Sequence, residues 1–418
     1  MFTIKKETIP IIIIGHVDHG KSTLIGRLLF ETDSLPEGRI LEIKKISREL
    51  GKDAELAFLT DQLKEEREQN RTIDTTQIFF RTKHKNFIII DTPGHVEFIK
   101  NMLTGATLAK AAILLIDVNE GIKEQTVRHL NLIKMLGINN LVIVFNKMDL
   151  VNYKKEKFGE RKDELDKFLN TIEVKPLYIV PVSAKEGINI TKRTLSMNWY
   201  DGPTLLEAIN SLKLGHQSNR LPLRFAVQDA YGIGGKQVIV GKVASGVISR
   251  GQKITILPRC QEMKVASIVV FGKSHKVKAC QGENIGLILD SVASLSCIPA
   301  IKRGDIVSGK ENVPKLVQSI KGSVFWLSEE NLKPNRTLTL RCATQETECF
   351  LEEILEITDS STLTVIDKDS QELKMNEIGK AIFRIKEPIV VENHNFVEEF
   401  GRFVIEDGSR LQGVGIIV

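Results

Sequence analysis

Gly15-His16-Val17-Asp18-His19-Gly20-Lys21-Ser22 follows directly on the apolar run Ile11 to Ile14 and leads into a stretch of helical periodicity, Thr23 to Phe30. Strand, glycine-bounded loop and helix in that order are the GxxxxGK[ST] phosphate loop. Its glycines let backbone N–H groups close round phosphate oxygens, and the start of the helix adds its positive end. Lys21 can reach the β and γ phosphates, and Ser22 offers a hydroxyl to Mg²⁺. The loop therefore marks Gly15, His16, Val17, Asp18, His19, Gly20, Lys21, Ser22 and Thr23 as candidate nucleotide-binding residues on an α/β P-loop domain.

Four further apolar runs, Phe87 to Ile90, Ala112 to Ile116, Leu141 to Phe145 and Tyr178 to Val180, read as buried strands of a parallel sheet. Three of them end in polar segments that complete the site. Asp91-Thr92-Pro93-Gly94-His95 places Asp91 at a strand's carboxyl end, where it can hold a Mg²⁺-bound water, and Gly94 where its N–H can sense a γ-phosphate. Asn146-Lys147-Met148-Asp149 presents a carboxylate that can accept hydrogen bonds from guanine N1–H and the 2-amine. Adenine lacks that pair of donors, and a site built for them can reject it by about 10⁴-fold or more. Ser183-Ala184-Lys185 completes the base pocket, so the expected cofactors are GTP and Mg²⁺.

Phosphoryl transfer to water needs positioning and charge stabilisation and no nucleophilic side chain. Lys21, Gly94 and His95 are the candidate catalytic residues, with His95 orienting the water one residue after the γ-phosphate sensor. Thr72, in Glu66-Arg67-Glu68-Gln69-Asn70-Arg71-Thr72-Ile73-Asp74, is the candidate second Mg²⁺ hydroxyl beside Ser22, in a loop ordered while γ-phosphate is present. By periodicity the same segment reads equally as a solvated, charged helix end.

The chain has 418 residues, 42% of them hydrophobic, enough for about three domains with their own cores. Residues 1-214 form the α/β domain, with two helices expected between Glu37 and Glu68. Composition turns polar around Gly215 to Leu221, and short Gly-punctuated strands follow, such as those in Gly241 to Leu257. Two small β-barrels are expected, 219-313 and 314-418, with strands of the second at Thr337 to Leu340, Leu363 to Ile366 and Ala381 to Ile385. No apolar run approaches the roughly 18 residues of a membrane span. Five cysteines, all after residue 259 and in no zinc or disulfide pattern, fit a reducing cytoplasm. The net charge of +5 is too small to argue for a nucleic-acid field, and 12 basic against 18 acidic residues from Lys315 onward make that region a poor match for phosphate backbones.

With these segments together, the chain resembles a translation-factor-type GTPase: GHVDHGKST, the EREQ…TID segment, DTPGH, NKMD and SAK are similar to that superfamily, as is GKVASGVISRGQKI. The resemblance implies a G domain followed by two β-barrels. Two branches compete, the tRNA-delivering elongation factors and the GTPase large subunit of sulfate adenylyltransferase. His16 and His19 resemble the first. Phe325 to Pro334, Leu373 to Gly379 and Glu387-Pro388-Ile389 resemble the second, and the elongation factor's third-domain pattern is not found.

With the acidic C-terminal balance, this favours a GTPase subunit that couples GTP hydrolysis to formation of adenosine 5'-phosphosulfate on a separate adenylyl-transferring subunit. Elongation-factor work on aminoacyl-tRNA and the ribosome is the alternative. Two departures from the superfamily stand out. Asn70-Arg71 replaces the usual Gly-Ile before Thr72, so Arg71 is either a cis arginine finger or a solvated loop charge; single-turnover hydrolysis by Arg71→Ala separates the two. His394, Asn395 and Glu398-Glu399-Phe400 also depart from the usual C-terminal pattern.

Overall fold

The computed structural model describes residues 8–35, 76–91, 109–213, 221–233, 236–270, 273–291, 300–360, 364–367, 371–394 and 396–418. The chain divides into two compact units, Met1–Leu214 and Gly215–Val418. In the first, β1 (Thr8–Gly15), β2 (Thr76–Arg81), β3 (Asn86–Asp91), β4 (Ala111–Asp117), β5 (Leu141–Asn146) and β6 (Tyr178–Pro181) form one sheet in the order β2-β3-β1-β4-β5-β6. All pair in parallel except β2, which runs antiparallel to β3. The central runs are buried on both faces: Ile11 to Ile14 and Ile113 to Ile116 are each at most 1% exposed. That explains why they read as unbroken apolar stretches and show no alternation.

Four helices are described in this unit: α1 (Lys21–Glu31), α2 (Glu124–Met135), α3 (Lys155–Thr171) and α4 (Leu205–Ser211). Leu24, Ile25, Leu28 and Leu29 of α1 share the core with Ile9, Ile11 and Ile13 of β1, the one-sided burial that a 3.6-residue period produces. The helices expected between residues 37 and 68 lie outside the described residues. β2 is a strand the apolar runs do not announce. It buries only Ile78 and Phe80 and turns Phe79 to solvent, the alternation of an edge strand. Thr82 fixes its direction through the tight turn to β3, where the Thr82 N–H donates to Lys85 O at 2.9 Å.

The second unit holds two closed antiparallel rings. In order of hydrogen-bonded neighbours the first runs through Lys253–Leu257, Ile306–Gly309, Arg224–Ile233, Lys236–Ser245, Asn284–Ser291 and Gln261–Val270, which pairs back onto Lys253–Leu257. The second runs through Leu338–Cys342, Arg402–Asp407, Arg410–Ile417, Leu316–Trp326, Glu377–Val390 and Gln345–Asp359, which pairs back onto Leu338–Cys342. Closure leaves the ring strands without a free edge. Each ring encloses its own core, around Phe225, Ile254 and Leu287 in the first and Trp326, Phe383 and Phe403 in the second.

A third apolar cluster, with Ala226, Leu257, Ile306, Val390, Val397 and Phe400, lies in the seam between the two barrels. At its border Arg224, 2% exposed, uses all its donors. Nε and Nη2 reach Glu392 Oε1 at 2.8 and 2.7 Å, Nη1 reaches Leu223 O and Asn312 O at 2.9 Å, and Nη2 reaches Asn312 Oδ1 at 3.3 Å. Lys242 pairs with Glu399 across the same seam. Of the acidic run, Glu399 therefore has an internal use in holding the barrels together, while Glu398 pairs with Arg402 of its own barrel at 2.6 Å.

Candidate nucleotide-binding site

Because the sheet order reverses at β1, the carboxyl ends of β1, β3, β4 and β5 bring Gly15, Asp91, Asp117 and Asn146 to one edge, where open α/β sheets bind ligands. Gly15 leads out of β1, Asp18 takes a left-handed backbone at φ 62°, and Gly20 follows at φ 90° before α1 begins. A Cβ on Gly20 would meet the Asn146 side-chain nitrogen at 2.5 Å. α1 has no side-chain cap and no acidic residue in its first turn, so its positive end is left for a ligand. α4, by contrast, is closed by Thr204 and Glu207, each bonded to the other's backbone N–H.

Lys21 folds its ammonium back across this loop and donates to Gly15 O at 2.7 Å and His16 O at 3.0 Å. Ser22 and Thr23 are half-buried in the first turn, and Asp91 is 4% exposed with its backbone in register with Ile13. An uncapped helix start, a cation drawn over the loop, a hydroxyl on the first turn and a carboxylate at the adjacent strand end suit a triphosphate with Mg²⁺. That ion takes few protein ligands and keeps water and phosphate oxygens. Gly94, His95 and Thr72, together with Asn70 and Arg71, lie outside the described residues.

The two loop histidines do different work from the backbone around them. His19 is fully buried, with Nδ1 3.1 Å from Leu115 O and 3.3 Å from Asp117 N. The Leu115 carbonyl needs Nδ1 to donate and the Asp117 N–H needs it to accept, so the two contacts are alternatives set by the ring's tautomer. Burial holds the His19 pKa below its ordinary value, although the Leu115 carbonyl and the nearby acids oppose the shift. The His16 ring stands edge-on to it, centroids 5.3 Å apart.

Behind them lies a third imidazole that the motifs do not reveal, His129 of α2, 4% exposed. Burial first, then the charges of Lys21, His16, His19 and Arg128, push its pKa down to about 3. The folded protein thus keeps His129 neutral while the unfolded chain protonates near 6.5. Its contribution to stability is complete above about pH 6.5 and is lost as pH falls toward 3, by up to about 1.4 kcal/mol per pH unit. Denaturant midpoints at pH 7.5 and 5.0 should separate by more in the wild type than in His129→Gln; equal separations would remove His129 from the pH dependence.

At the base end, Asn146 is 2% exposed and joins two loops: Nδ2 donates to His19 O at 2.9 Å, and Oδ1 accepts from Ala184 N at 3.0 Å. Those opposite demands fix the orientation of its amide. Lys147, left-handed at φ 64°, pairs with Asp117 at 2.8 Å. Asp149 Oδ1 accepts from the Ser183 hydroxyl at 2.6 Å, and that hydroxyl accepts from Glu186 N at 3.2 Å. Ala184 is buried and Lys185 exposed. Tyr153 bonds to the Glu186 carboxylate, and Trp199 Nε1 donates to Tyr153 O at 2.9 Å. The structure thus brings the phosphate loop, Asp91, Asn146, Lys147, Asp149 and Ser183 to Lys185 onto one edge. It adds Asp117, which the same strand-end reasoning would have found after Ala112 to Ile116.

Residues 6–213 match the elongation factor Tu GTP binding domain, and residues 319–418 match the GTP-eEF1A C-terminal domain-like family. The chain is 36% identical over 421 residues to elongation factor 1-alpha of Methanocella arvoryzae, an alignment covering 99% of this chain and 98% of that one. Elongation factor 1-alpha of Thermococcus celer is 36% identical over 425 residues, covering 99% and 98%. That of Saccharolobus solfataricus is 36% identical over 428 residues, covering 99% and 97%.

These full-length likenesses overturn the expectation of a sulfate adenylyltransferase GTPase subunit and, with it, that of an adenylyl-transferring partner. The segments that suggested it carry barrel packing: Trp326, Leu332 and Leu373 are fully buried, and Leu332 and Leu373 bridge each other. They report a barrel core and not a branch. The acidic count misled for a related reason. A sum over the whole region does not say which face carries the excess, and Glu346, Glu348 and Glu352 are matched across strands by Arg341, Lys386 and Arg384 at 3.1, 3.0 and 2.6 Å.

Proposed function

This chain belongs to the translation-factor-type GTPase family, with GTP and Mg²⁺ as its cofactors and GTP hydrolysis as its reaction, and we propose that it works as an elongation-factor-type switch that carries aminoacyl-tRNA to the ribosome. The observation that carries this reading is identity to elongation factor 1-alpha along the G domain and both barrels together. A nucleotide-binding domain alone would not distinguish one GTPase trade from another.

In this reading the backbone from Gly15 to Thr23 cradles the phosphates and Lys21 moves from its carbonyl partners onto the β and γ oxygens. Ser22 and Thr72, with Asp91 acting through water, would hold Mg²⁺, which would supply positive charge against the phosphates. Asn146 fixes the loops, Lys147 lies against the base, Asp149 selects guanine, and Ser183, Ala184 and Lys185 close the pocket. Gly94 senses the γ-phosphate, and His95 orients the attacking water. Cytoplasmic residence follows from such a role; no helix among the described residues is long and apolar enough to cross a membrane.

A retention assay tests the proposal. The purified chain loaded with a non-hydrolysable GTP analogue should slow hydrolysis of the aminoacyl ester of charged tRNA, and the same chain loaded with GDP should protect it at least about tenfold more weakly, a difference of about 1.4 kcal/mol in binding. Equal protection in both states, or none in either, would overturn the reading.

A further inference from the structure

α1 begins at the phosphate loop, and its side chains also reach the base loop. Arg27 Nε donates to Ala184 O at 3.0 Å, and Nη2 donates to Lys185 O. One turn on, Glu31 lies 3.9 Å from Arg27 Nε and accepts from the Thr191 hydroxyl at the far end of the same loop. Between these two holds sits Gly187 at φ 76°, where a Cβ would come 2.6 Å from a Glu31 carboxylate oxygen and 3.5 Å from Arg27 Cδ. The loop is thus drawn down on the helix at the point where it carries no side chain.

We propose that Arg27 is a positioning residue for guanine selection, acting through Asp149. In a trans peptide the C=O and N–H point in opposite directions. Holding the Lys185 carbonyl on Arg27 therefore aims the Glu186 N–H the other way, and there it donates to the Ser183 hydroxyl at 3.2 Å. That hydroxyl in turn donates to Asp149 at 2.6 Å. An unbroken relay runs from guanidinium to carbonyl, to amide, to hydroxyl, to the carboxylate that reads the base. Because Arg27 is on the helix whose first turn meets the phosphates, one rigid element sets both ends of the nucleotide site. Only Arg has the planar pair of donors that holds two successive carbonyls; Lys offers a single point charge.

The inference rests on Asp149 being the guanine reader, and the test separates the two. Affinities and release rates of fluorescent GDP and IDP are measured for wild type, Arg27→Ala and Arg27→Lys. Inosine lacks only the 2-amine, so the GDP-to-IDP ratio reports how well Asp149 is aimed. Arg27→Ala should weaken GDP by about tenfold, mainly through faster release, and bring the ratio several-fold closer to one. Arg27→Lys should fall between it and wild type.

General loosening of the fold would weaken both nucleotides alike, so an unchanged ratio in Arg27→Ala overturns the proposal even if both affinities drop. Should Arg27→Ala not fold, an unchanged ratio in Arg27→Lys does the same. A wild type that binds ADP as tightly as GDP removes the Asp149 reading, and this inference with it.

Discussion

Asp149→Asn should cut GDP affinity by about 10³- to 10⁴-fold and raise that for XDP by a comparable factor. A carboxylate accepts on both oxygens, whereas a carboxamide accepts on one side and donates on the other. Guanine presents two donors to that edge, so the substituted amide would set an N–H against the 2-amine and leave both without an acceptor. Xanthine carries an oxygen at that carbon and meets the new donor. The replacement matches Asp149 in shape, and the Ser183 hydroxyl that now donates to Oδ1 at 2.6 Å can donate to the amide oxygen as well. The loop should therefore keep its form while its preference changes. Competition of GDP, XDP and ADP against a fluorescent nucleotide reads the result, and an unaltered order of affinity would mean that Asp149 does not face the base.

The other large effect is expected far from the nucleotide. Arg224→Met should destabilise the barrel unit by about 3–5 kcal/mol, the usual consequence of taking one partner from a buried pair. Glu392 is only 16% exposed on its side chain and would keep its charge without the guanidinium. Leu223 O and the Asn312 backbone and side-chain oxygens would lose their donor in the same step. Arg224→Lys should recover part of this at most, since three donors on a point charge cannot replace five in a planar fork. Denaturation followed by Trp326 fluorescence in a Trp199→Phe background reads the barrel unit alone. A midpoint unchanged in Arg224→Met would show that the apolar seam around Val390, Val397 and Phe400 holds the barrels without it.

How much of this was legible in the sequence depended on whether the chemistry lay in one short segment. The phosphate loop, Asp91, the Asn146 to Asp149 turn and Ser183 to Lys185 each follow a buried strand, so periodicity and motif agreed on where they sit. His129 and Arg27 gave no such signal. Each is one polar residue on an amphipathic helix, and its role comes from contacts with residues more than a hundred positions away. β2 was hidden because it buries just two side chains.

The branch assignment went astray for a different reason. Trp326, Leu332 and Leu373 stand out in sequence but serve the barrel interior, and a count of charges along the chain takes no account of the pairs that Glu348 and Glu352 make across strands. Net charge bears on a docking surface only once it is known which face carries it.

Every role given to the G domain depends on a pocket that distinguishes guanine from adenine. Calorimetric titration of the intact wild-type chain with GDP and with ADP, in Mg²⁺, measures that distinction directly. GDP should bind more tightly by about 10⁴-fold or more, as expected of a site whose buried acceptors need the base's donors. ADP bound within about tenfold of GDP, a gap of only about 1.4 kcal/mol, would contradict it.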